Sequence, residues 1–312
     1  MPATFPPAIL LMGPTASGKT QIAIELAQQH NCEIISVDSA MVYRGMDIGT
    51  AKPSLADRAG ISHHLIDILD PVDVFSTGQF CTRALALMFE ITDRGKIPLL
   101  VGGTMLYFYS LLNGMAQLPE AEPVIRRQID EEAQRFGWEN LHLRLSKIDP
   151  KTANRIHPND SQRIQRALEV FRLTGKTLTE LCESTHSKSL PFSTIKLIIE
   201  PKQRKQLHNR IENRFLQMIE EGLVTEVQEL RKHGNLHSKL PATRTVGYRQ
   251  VWDYLEGHYD KDTMIDKAII ATRQLAKRQL TWLRRDPSGH RFCFEDFNVT
   301  KDVLAKLVSL LN

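Results

Sequence analysis

The sequence has few cysteines and no cluster of metal ligands. Among its 312 residues the cysteines stand singly, with no C-x-x-C pair and no histidine cluster at metal-ligand spacing. This pattern excludes a disulfide framework and a zinc site as organising features, and it favours a reducing, cytoplasmic compartment. The four cysteines are Cys32, Cys81, Cys182 and Cys293.

Long apolar runs are missing as well. No stretch approaches the roughly 20 apolar residues that a membrane-spanning helix needs, and no basic segment precedes the apolar run at 8–12, so we expect neither a membrane anchor nor a signal peptide. There are no internal repeats. A length of 312 residues is enough for one large α/β domain plus an insertion or a second small domain. A hydrophobic content of 42% and a charged content of 24% are ordinary for a soluble globular enzyme.

The segment Gly13–Thr20 matches the phosphate-binding pattern G-x-x-x-x-G-K-[ST]. It follows the apolar run at 8–12 and precedes apolar residues at helical spacing, which is the strand–loop–helix context that the motif requires. Loop N–H groups and the helix N-terminus favour an anion. Lys19 supplies a positive charge, and the Thr20 hydroxyl is placed to ligate Mg²⁺. The sequence therefore predicts a di- or triphosphate site.

Strand-like and helical segments alternate in a way that predicts a P-loop NTPase-like α/β fold, with a parallel sheet flanked by helices. Strands are expected at 8–12, 33–37, 97–101 and 194–199. Residues 115–190 show only helical patterns, so they are predicted to form an all-helical insertion in a core built from 1–114 and 191–312. Helices are expected at 19–30, 78–94, 122–137, 139–147, 161–174, 178–183, 202–220, 223–233, 246–255 and 261–282.

Asp38 follows the predicted second strand, at the sheet edge where ligands bind in open α/β proteins. Its carboxylate either holds or deprotonates an acceptor, or it caps the next helix, and its position alone leaves both open. The third strand ends in Gly102-Gly103-Thr104 without the carboxylate expected of an ATP-hydrolysing protein. These glycines either admit a flat or apolar group close to the backbone or form a tight turn.

Positive charge gathers in three clusters, at 162–166, 244–249 and 267–285, in a chain of net charge +4. The last cluster holds six Lys or Arg residues and no Asp or Glu. A single cluster is as often a solvated face, but three favour a nucleic-acid backbone as partner. A P-loop kinase of a nucleoside or small metabolite would explain the loop and Asp38 without these clusters. An RNA-binding NTPase switch would explain the clusters but predicts nucleotide hydrolysis.

With these residues in view, the chain resembles the tRNA isopentenyltransferase (tRNA dimethylallyltransferase) family, of the bacterial type. The resemblance extends in order over nearly the whole chain, and the combination is highly specific; only the tail beyond about Asp286 carries little signal. The matching segments are GPTASGKT at 13–20, the run from Asp38 through DIGTAKP at 47–53, LVGGTMLY at 100–107, HPNDSQRIQRALEV at 157–170, RIENRF at 210–215, GYRQVWDYL at 247–255 and ATRQLAKRQLTWLRR at 271–285.

The resemblance implies transfer of a dimethylallyl group from dimethylallyl diphosphate to N6 of the adenosine just 3′ of the anticodon in tRNA, with Mg²⁺ as cofactor. The helical insertion is then expected to contact the anticodon stem-loop. We expect a monomer. Because a stacked base cannot reach the phosphate loop, the adenosine is expected to flip out of the anticodon loop.

The resemblance also implies roles for individual residues. Asp38 is similar to the family's general base, Lys19 and Arg214 are the expected catalytic cations, and Thr20 is the expected Mg²⁺ ligand. The implied diphosphate-binding residues are Gly13, Pro14, Thr15, Ala16, Ser17, Gly18, Lys19, Thr20 and Arg214. The implied tRNA-binding residues are Asp38, Ser39, Ala40, Met41, Thr104, Arg126, Gln162, Arg163, Ile164, Gln165, Arg166, Arg244, Thr245, Val246, Gly247, Tyr248 and Arg249.

Overall fold

The computed structural model describes residues 5–114, 118–184, 190–232 and 234–311. The chain divides into two compact units. A core unit comprises Met1–Leu111 and Pro191–Asn312, and a helical unit comprises Leu112–Leu190. Residues 115–117 and 185–189 of the predicted insertion lie outside the described residues.

A six-stranded sheet forms the centre of the core unit, and all of its strand pairs are parallel. Its spatial order is β3-β2-β4-β1-β5-β6. The α/β class predicted from continuous apolar runs is therefore confirmed. The strands are β1 (Pro7–Met12), β2 (Cys32–Val37), β3 (His63–His64), β4 (Ile97–Gly102), β5 (Ser193–Glu200) and β6 (His290–Cys293).

Helices flank the sheet and also build the helical unit. Several begin at a side-chain cap; for example, the Ser76 hydroxyl accepts a hydrogen bond from the Gln79 N–H in a reciprocal capping box. In the described residues the helices are α1 (Lys19–Gln29), α2 (Thr77–Asp93), α3 (Met105–Asn113), α4 (Pro123–Phe136), α5 (Trp138–Ile148), α6 (Pro150–Ala153), α7 (Ser161–Thr174), α8 (Leu178–Ser184), α9 (Arg204–Glu220), α10 (Leu223–Arg231), α11 (Tyr248–Leu255), α12 (Lys261–Leu283) and α13 (Val299–Leu311).

Two strands were not predicted. β3 has two residues and β6 has four, which is too short for a periodic pattern to stand out. β6 pairs with β5, so the tail beyond Asp286 completes one edge of the sheet. None of the described helices is long and apolar enough to cross a membrane.

The helical unit has its own apolar core. Ile129, Leu141 and Ile164 have no exposed surface there, and α4, α5 and α7 each contribute one of them. The inward residues of α4 and α7 recur at helical spacing, so these helices bury one face and leave the other to polar residues.

Candidate active site

A cavity of about 600 Å³ lies at the carboxyl ends of β1, β2 and β4. Three segments that follow these strands line it: the phosphate loop, the turn at Asp38 and the turn at Gly102–Thr104. Because the strands are parallel, their carboxyl ends meet at one sheet edge, which is where such folds bind ligands. The cavity is closed by side chains of α9 and α12, including Arg214, Phe215, Gln279 and Trp282.

The phosphate loop has the backbone geometry of an anion site. Gly18 has a φ of 83° and directly precedes α1, so its N–H and those of the next residues lie at the positive end of the helix dipole. The Lys19 ammonium donates to the Pro14 carbonyl at 2.6 Å and to the Ser17 hydroxyl at 3.2 Å. The Lys19 ammonium is thus held against the loop by two of the loop's own oxygen atoms.

Two cations in this cavity are desolvated. The pKa of Lys19 is lowered to about 7, mainly by burial and also by the positive charge of Arg214, while the Asp38 carboxylate opposes both effects. Burial likewise lowers the pKa of Arg214, again with an opposing effect of Asp38. Within the described residues neither cation has a carboxylate ion-pair partner within 4.0 Å. An anion bound between them would therefore be strongly stabilised.

Arg214 bridges two walls of the cavity. Its guanidinium donates to the Thr15 hydroxyl in the phosphate loop and to the Thr50 carbonyl, each at 3.4 Å. The structure thus brings Arg214 and Lys19 together at the loop 13–20, and their binding of a diphosphate stays a prediction.

Asp38 caps a turn and also lines the cavity. Its Oδ1 accepts hydrogen bonds from the Ala40 N–H at 2.8 Å and the Met41 N–H at 3.3 Å, so one oxygen caps the turn. Its Oδ2 accepts no hydrogen bond from any described residue, and the residue lines the cavity. The cap fixes the carboxylate while leaving one oxygen to act on a ligand.

The glycines after β4 make room for protein atoms. A Cβ on Gly102 would collide with the Val37 carbonyl, and a Cβ on Gly103 would lie 2.5 Å from Gln279 Nε2. The close approach of β2 and of Gln279 therefore accounts for both glycines, and neither has the positive φ of a glycine-specific turn. Thr104 then begins the next turn, where its hydroxyl accepts a hydrogen bond from the Ser39 N–H at 3.2 Å.

Glu226 anchors the loop at 47–53, and sequence reasoning missed it. Its carboxylate accepts hydrogen bonds from the N–H groups of Asp47, Ile48 and Gly49 at 2.7–3.2 Å, and from the Tyr248 hydroxyl at 2.5 Å. The pKa of Tyr248 is raised mainly by burial, and the negative charge of the Glu226 carboxylate raises it further. No short motif links these residues, because the contacts join three distant segments.

The segment at 244–249 is divided between the cavity and the interior. Arg244–Gly247 line the cavity, and Arg249 is exposed. Tyr248 is only 2% exposed and bonds to Glu226. Its side chain is therefore an internal support, which corrects the predicted tRNA contact for this side chain.

The arginines of the helical unit differ in exposure and pairing. Arg126 and Arg166 both bind Glu169, which has no exposed side-chain surface, at 2.9 and 2.7 Å. Arg163 is 71% exposed and lies 3.4 Å from Asp160. Gln162 is exposed.

The remaining two residues of the 162–166 cluster face neighbouring helices. Gln165 donates to Asp130 at 2.6 Å. Ile164 is fully buried in the core of the helical unit, and this burial corrects the predicted tRNA contact for its side chain.

A family model described as IPP transferase matches residues 41–286. A tRNA dimethylallyltransferase of Methylococcus capsulatus is 58% identical over 284 residues, which cover 91% of each chain. These matches extend over both the core unit and the helical unit.

Solved structures give the same result. The tRNA isopentenylpyrophosphate transferase of Bacillus halodurans is 36% identical with a TM-score of 0.72, covering 98% of this chain and 96% of that one. A eukaryotic dimethylallyltransferase acting on tRNA is 27% identical with a TM-score of 0.84, covering 98% of this chain and 79% of that one. The family model matches 41–286 and the relatives cover 91–98% of the chain, so the chain belongs to the IPP transferase family.

Proposed function

We propose that the chain transfers the dimethylallyl group of dimethylallyl diphosphate to N6 of the tRNA adenosine just 3′ of the anticodon, releasing diphosphate. The observation that carries this proposal is that the phosphate loop, Arg214 and Asp38 line one cavity. An anion site and a carboxylate base in one pocket suit a reaction that expels a diphosphate and removes a proton. The names of the relatives, which specify tRNA and dimethylallyl transfer, support the same conclusion.

The cations act on the leaving group. As the bond between the allylic carbon and oxygen breaks, negative charge grows on the diphosphate, and the loop N–H groups, Lys19 and Arg214 stabilise it. Because these groups are fixed before the reaction, they need little reorganisation, which makes such stabilisation a large part of catalysis. Lys19 is protonated more fully when a diphosphate lies beside it, since the anion offsets the desolvation that lowers its pKa to about 7.

The residues present also fit Mg²⁺. The Thr20 hydroxyl makes no hydrogen bond to any described residue, and its oxygen is a hard ligand of the kind that Mg²⁺ prefers. Mg²⁺ commonly binds through one or two protein oxygens together with substrate phosphates. When bound, the ion would neutralise charge on the diphosphate, with Thr20 as the protein ligand.

Asp38 acts on the acceptor. The exocyclic amine of adenine is a weak nucleophile, and it must lose a proton when the new carbon–nitrogen bond forms. Asp38 Oδ2 accepts that proton, while Oδ1 stays bound to the turn at Ala40 and Met41. A general base of this kind contributes roughly 10²–10⁴-fold to rate.

The tRNA is held by both units in this proposal. The adenosine is flipped into the cavity of the core unit, past Thr104 and the segment at 244–247. The helical unit contacts the anticodon stem-loop through exposed polar groups such as Arg163 and Gln162. We place the reaction in the cytoplasm, in keeping with four free cysteines, and the monomer stays a prediction.

The test is an assay with labelled dimethylallyl diphosphate, unmodified tRNA and Mg²⁺, in the absence of ATP. We expect label in tRNA at N6 of the adenosine next to the anticodon, with one diphosphate released per group transferred. Asp38→Asn should lower the single-turnover rate by about 10²–10⁴-fold, with tRNA affinity little changed. No label in tRNA, together with phosphate transfer from ATP to a nucleoside, would instead establish the kinase alternative, which the relatives do not support.

A further inference from the structure

We infer that Gln279 is a positioning residue that sets the distance between the diphosphate clamp and the general base. The inference rests on the proposed function. It begins from the side-chain amide of Gln279, which lies on α12 and is only 9% exposed. Its Oε1 accepts the Thr15 N–H at 2.9 Å, and its Nε2 donates to the Gly103 carbonyl at 2.8 Å.

The orientation of this amide is fixed by its partners. A backbone N–H can only donate and a backbone carbonyl can only accept, so a flipped amide would oppose donor to donor and acceptor to acceptor. The space between the amide and Gly103 is equally restricted, because a Cβ on Gly103 would lie 2.5 Å from Gln279 Nε2. No side chain other than an amide of this length offers both bonds from this position on α12.

One end of the bridge holds the phosphate loop. The Thr15 N–H is bonded to Gln279, so this N–H does not point at a phosphate, and the Thr15 hydroxyl contacts Arg214 at 3.4 Å. Gln279 therefore fixes the part of the phosphate loop that contacts Arg214, the arginine expected to bind the diphosphate.

The other end holds the turn of the general base. Gly103 is followed by Thr104, whose N–H donates to the Val37 carbonyl and whose hydroxyl accepts the Ser39 N–H, each at 3.2 Å. Thr104 thus bonds to both neighbours of Asp38. Through Gly103 and Thr104, Gln279 links the loop that holds the leaving group to the residue that receives the proton.

Such a link matters for the chemical step more than for binding. Diphosphate affinity depends on the loop N–H groups, Lys19 and Arg214. Of these groups, only the Thr15 N–H bonds to Gln279. The rate depends in addition on the relative placement of the allylic carbon and the amine, and a displacement of about 1 Å can cost about 10²-fold. A residue that acts only by positioning should therefore change the rate with little change in diphosphate affinity.

The test compares Gln279→Met, which is nearly isosteric and removes both hydrogen bonds, with Gln274→Met on the same helix, where the glutamine is exposed. Single-turnover transfer to tRNA and calorimetric affinity for inorganic diphosphate are measured for both. We expect Gln279→Met to slow transfer by about 10- to 100-fold, with diphosphate affinity within about threefold and Gln274→Met unchanged. Gln279→Leu, which also removes both hydrogen bonds and adds no charge to the cavity, serves if Gln279→Met fails to fold, and it should slow transfer similarly.

Two results would overturn the inference. In the first, the Gln279 variant transfers as fast as the Gln274 variant. In the second, its diphosphate affinity falls as much as its rate, so that Gln279 only supports the loop. Failure of the proposed function is distinct, because the unaltered protein would then transfer no dimethylallyl group to tRNA.

Discussion

The cations of the cavity and the cations of the helical unit differ in what neutralises them. In the cavity, Lys19 and Arg214 are desolvated and have no ion-pair partner among the described residues, and the pKa of Lys19 falls to about 7. In the helical unit, Arg126 and Arg166 bind the buried carboxylate of Glu169. The same residue types therefore have no carboxylate partner in one region and stabilise the fold through a carboxylate in the other.

This difference shows that charge clusters in a sequence do not identify binding residues by themselves. Arg126 and Arg166 belong to the predicted tRNA-binding set, yet Arg126 joins α4 to α7 through Glu169, and Arg166 pairs with Glu169 within α7. Arg163, from the same cluster, is 71% exposed. A buried or half-buried arginine that is paired with a carboxylate mainly stabilises the fold. The exposed arginine of the cluster, Arg163, is the better candidate for binding a phosphate.

The largest effect is expected from Lys19→Met, because it removes the charge on the leaving group. We expect single-turnover transfer to fall by roughly 10²–10³-fold, as for loss of one preorganised group that stabilises developing charge. Lys151→Met is the control in the helical unit, since that lysine is 71% exposed. Equal losses in the two variants would contradict the comparison.

The free energy of unfolding should also depend on the protonation of Lys19. Its folded pKa of about 7 lies below the ordinary lysine value of 10.5, so the folded chain binds fewer protons than the unfolded chain between these values. The free energy of unfolding should therefore rise with pH across this interval, and Lys19→Met should lack that rise. Thermal unfolding at several pH values measures it, and a rise that persists in the variant would refute this account of Lys19.

Glu169→Gln should act on stability instead of chemistry. The substitution leaves two arginines without their counter-charge, and we expect a loss of about 1–3 kcal/mol in the free energy of unfolding, limited because both arginines are partly exposed. Burial raises the pKa of Glu169, but hydrogen bonds from Arg126 and Arg166 outweigh it and the net pKa is lowered. The stabilisation is thus present at neutral pH and is lost as pH falls through the lowered folded pKa.

Denaturant unfolding of the Glu169 variant, with Glu183→Gln as an exposed control, tests this assignment. Glu183→Gln should leave stability nearly unchanged, since exposed ion pairs contribute about 0–1 kcal/mol. Undiminished stability in Glu169→Gln would mean that the two arginines do not depend on their carboxylate.

The smallest effect is expected from Arg163→Met. This exposed arginine should contribute to tRNA affinity through phosphate, so its loss should weaken binding similarly for different tRNA sequences and reduce the salt dependence by about one charge. Fluorescence titration at several salt concentrations measures both. If Arg166→Met weakens tRNA binding more than Arg163→Met while the helical unit stays folded, the distinction between paired and exposed arginines is wrong.

Much of the fold was predictable from local pattern. Largely apolar runs of five or six residues predicted β1, β2, β4 and β5, because strands buried on both faces are mostly apolar. The glycine spacing in 13–20 predicted the loop conformation that the structure has. β3 and β6 were not predictable, since two or four residues carry no periodic signal and form only where a neighbouring strand offers its edge.

The site was predictable in its motif residues and not in its connections. Lys19, Asp38 and Arg214 lie around one cavity as expected, although their catalytic roles stay predictions. Gln279 and Glu226 escaped notice because each bonds to backbone groups far away in the sequence. Every residue type except proline has the same backbone groups, so the sequence does not show where such bonds form. The spatial arrangement alone shows that a glutamine bridges two turns and that a glutamate binds three successive N–H groups.

The central claim is that the uncompensated cations of the cavity bind a diphosphate. Calorimetric titration of inorganic diphosphate in the presence of Mg²⁺, into the unaltered protein, Lys19→Met and Arg163→Met, tests it most directly. The account predicts one site per chain, at least about 10²-fold weaker in Lys19→Met by loss of a charge-assisted contact, and unchanged in Arg163→Met. Binding that survives in Lys19→Met but is lost in Arg163→Met would contradict it.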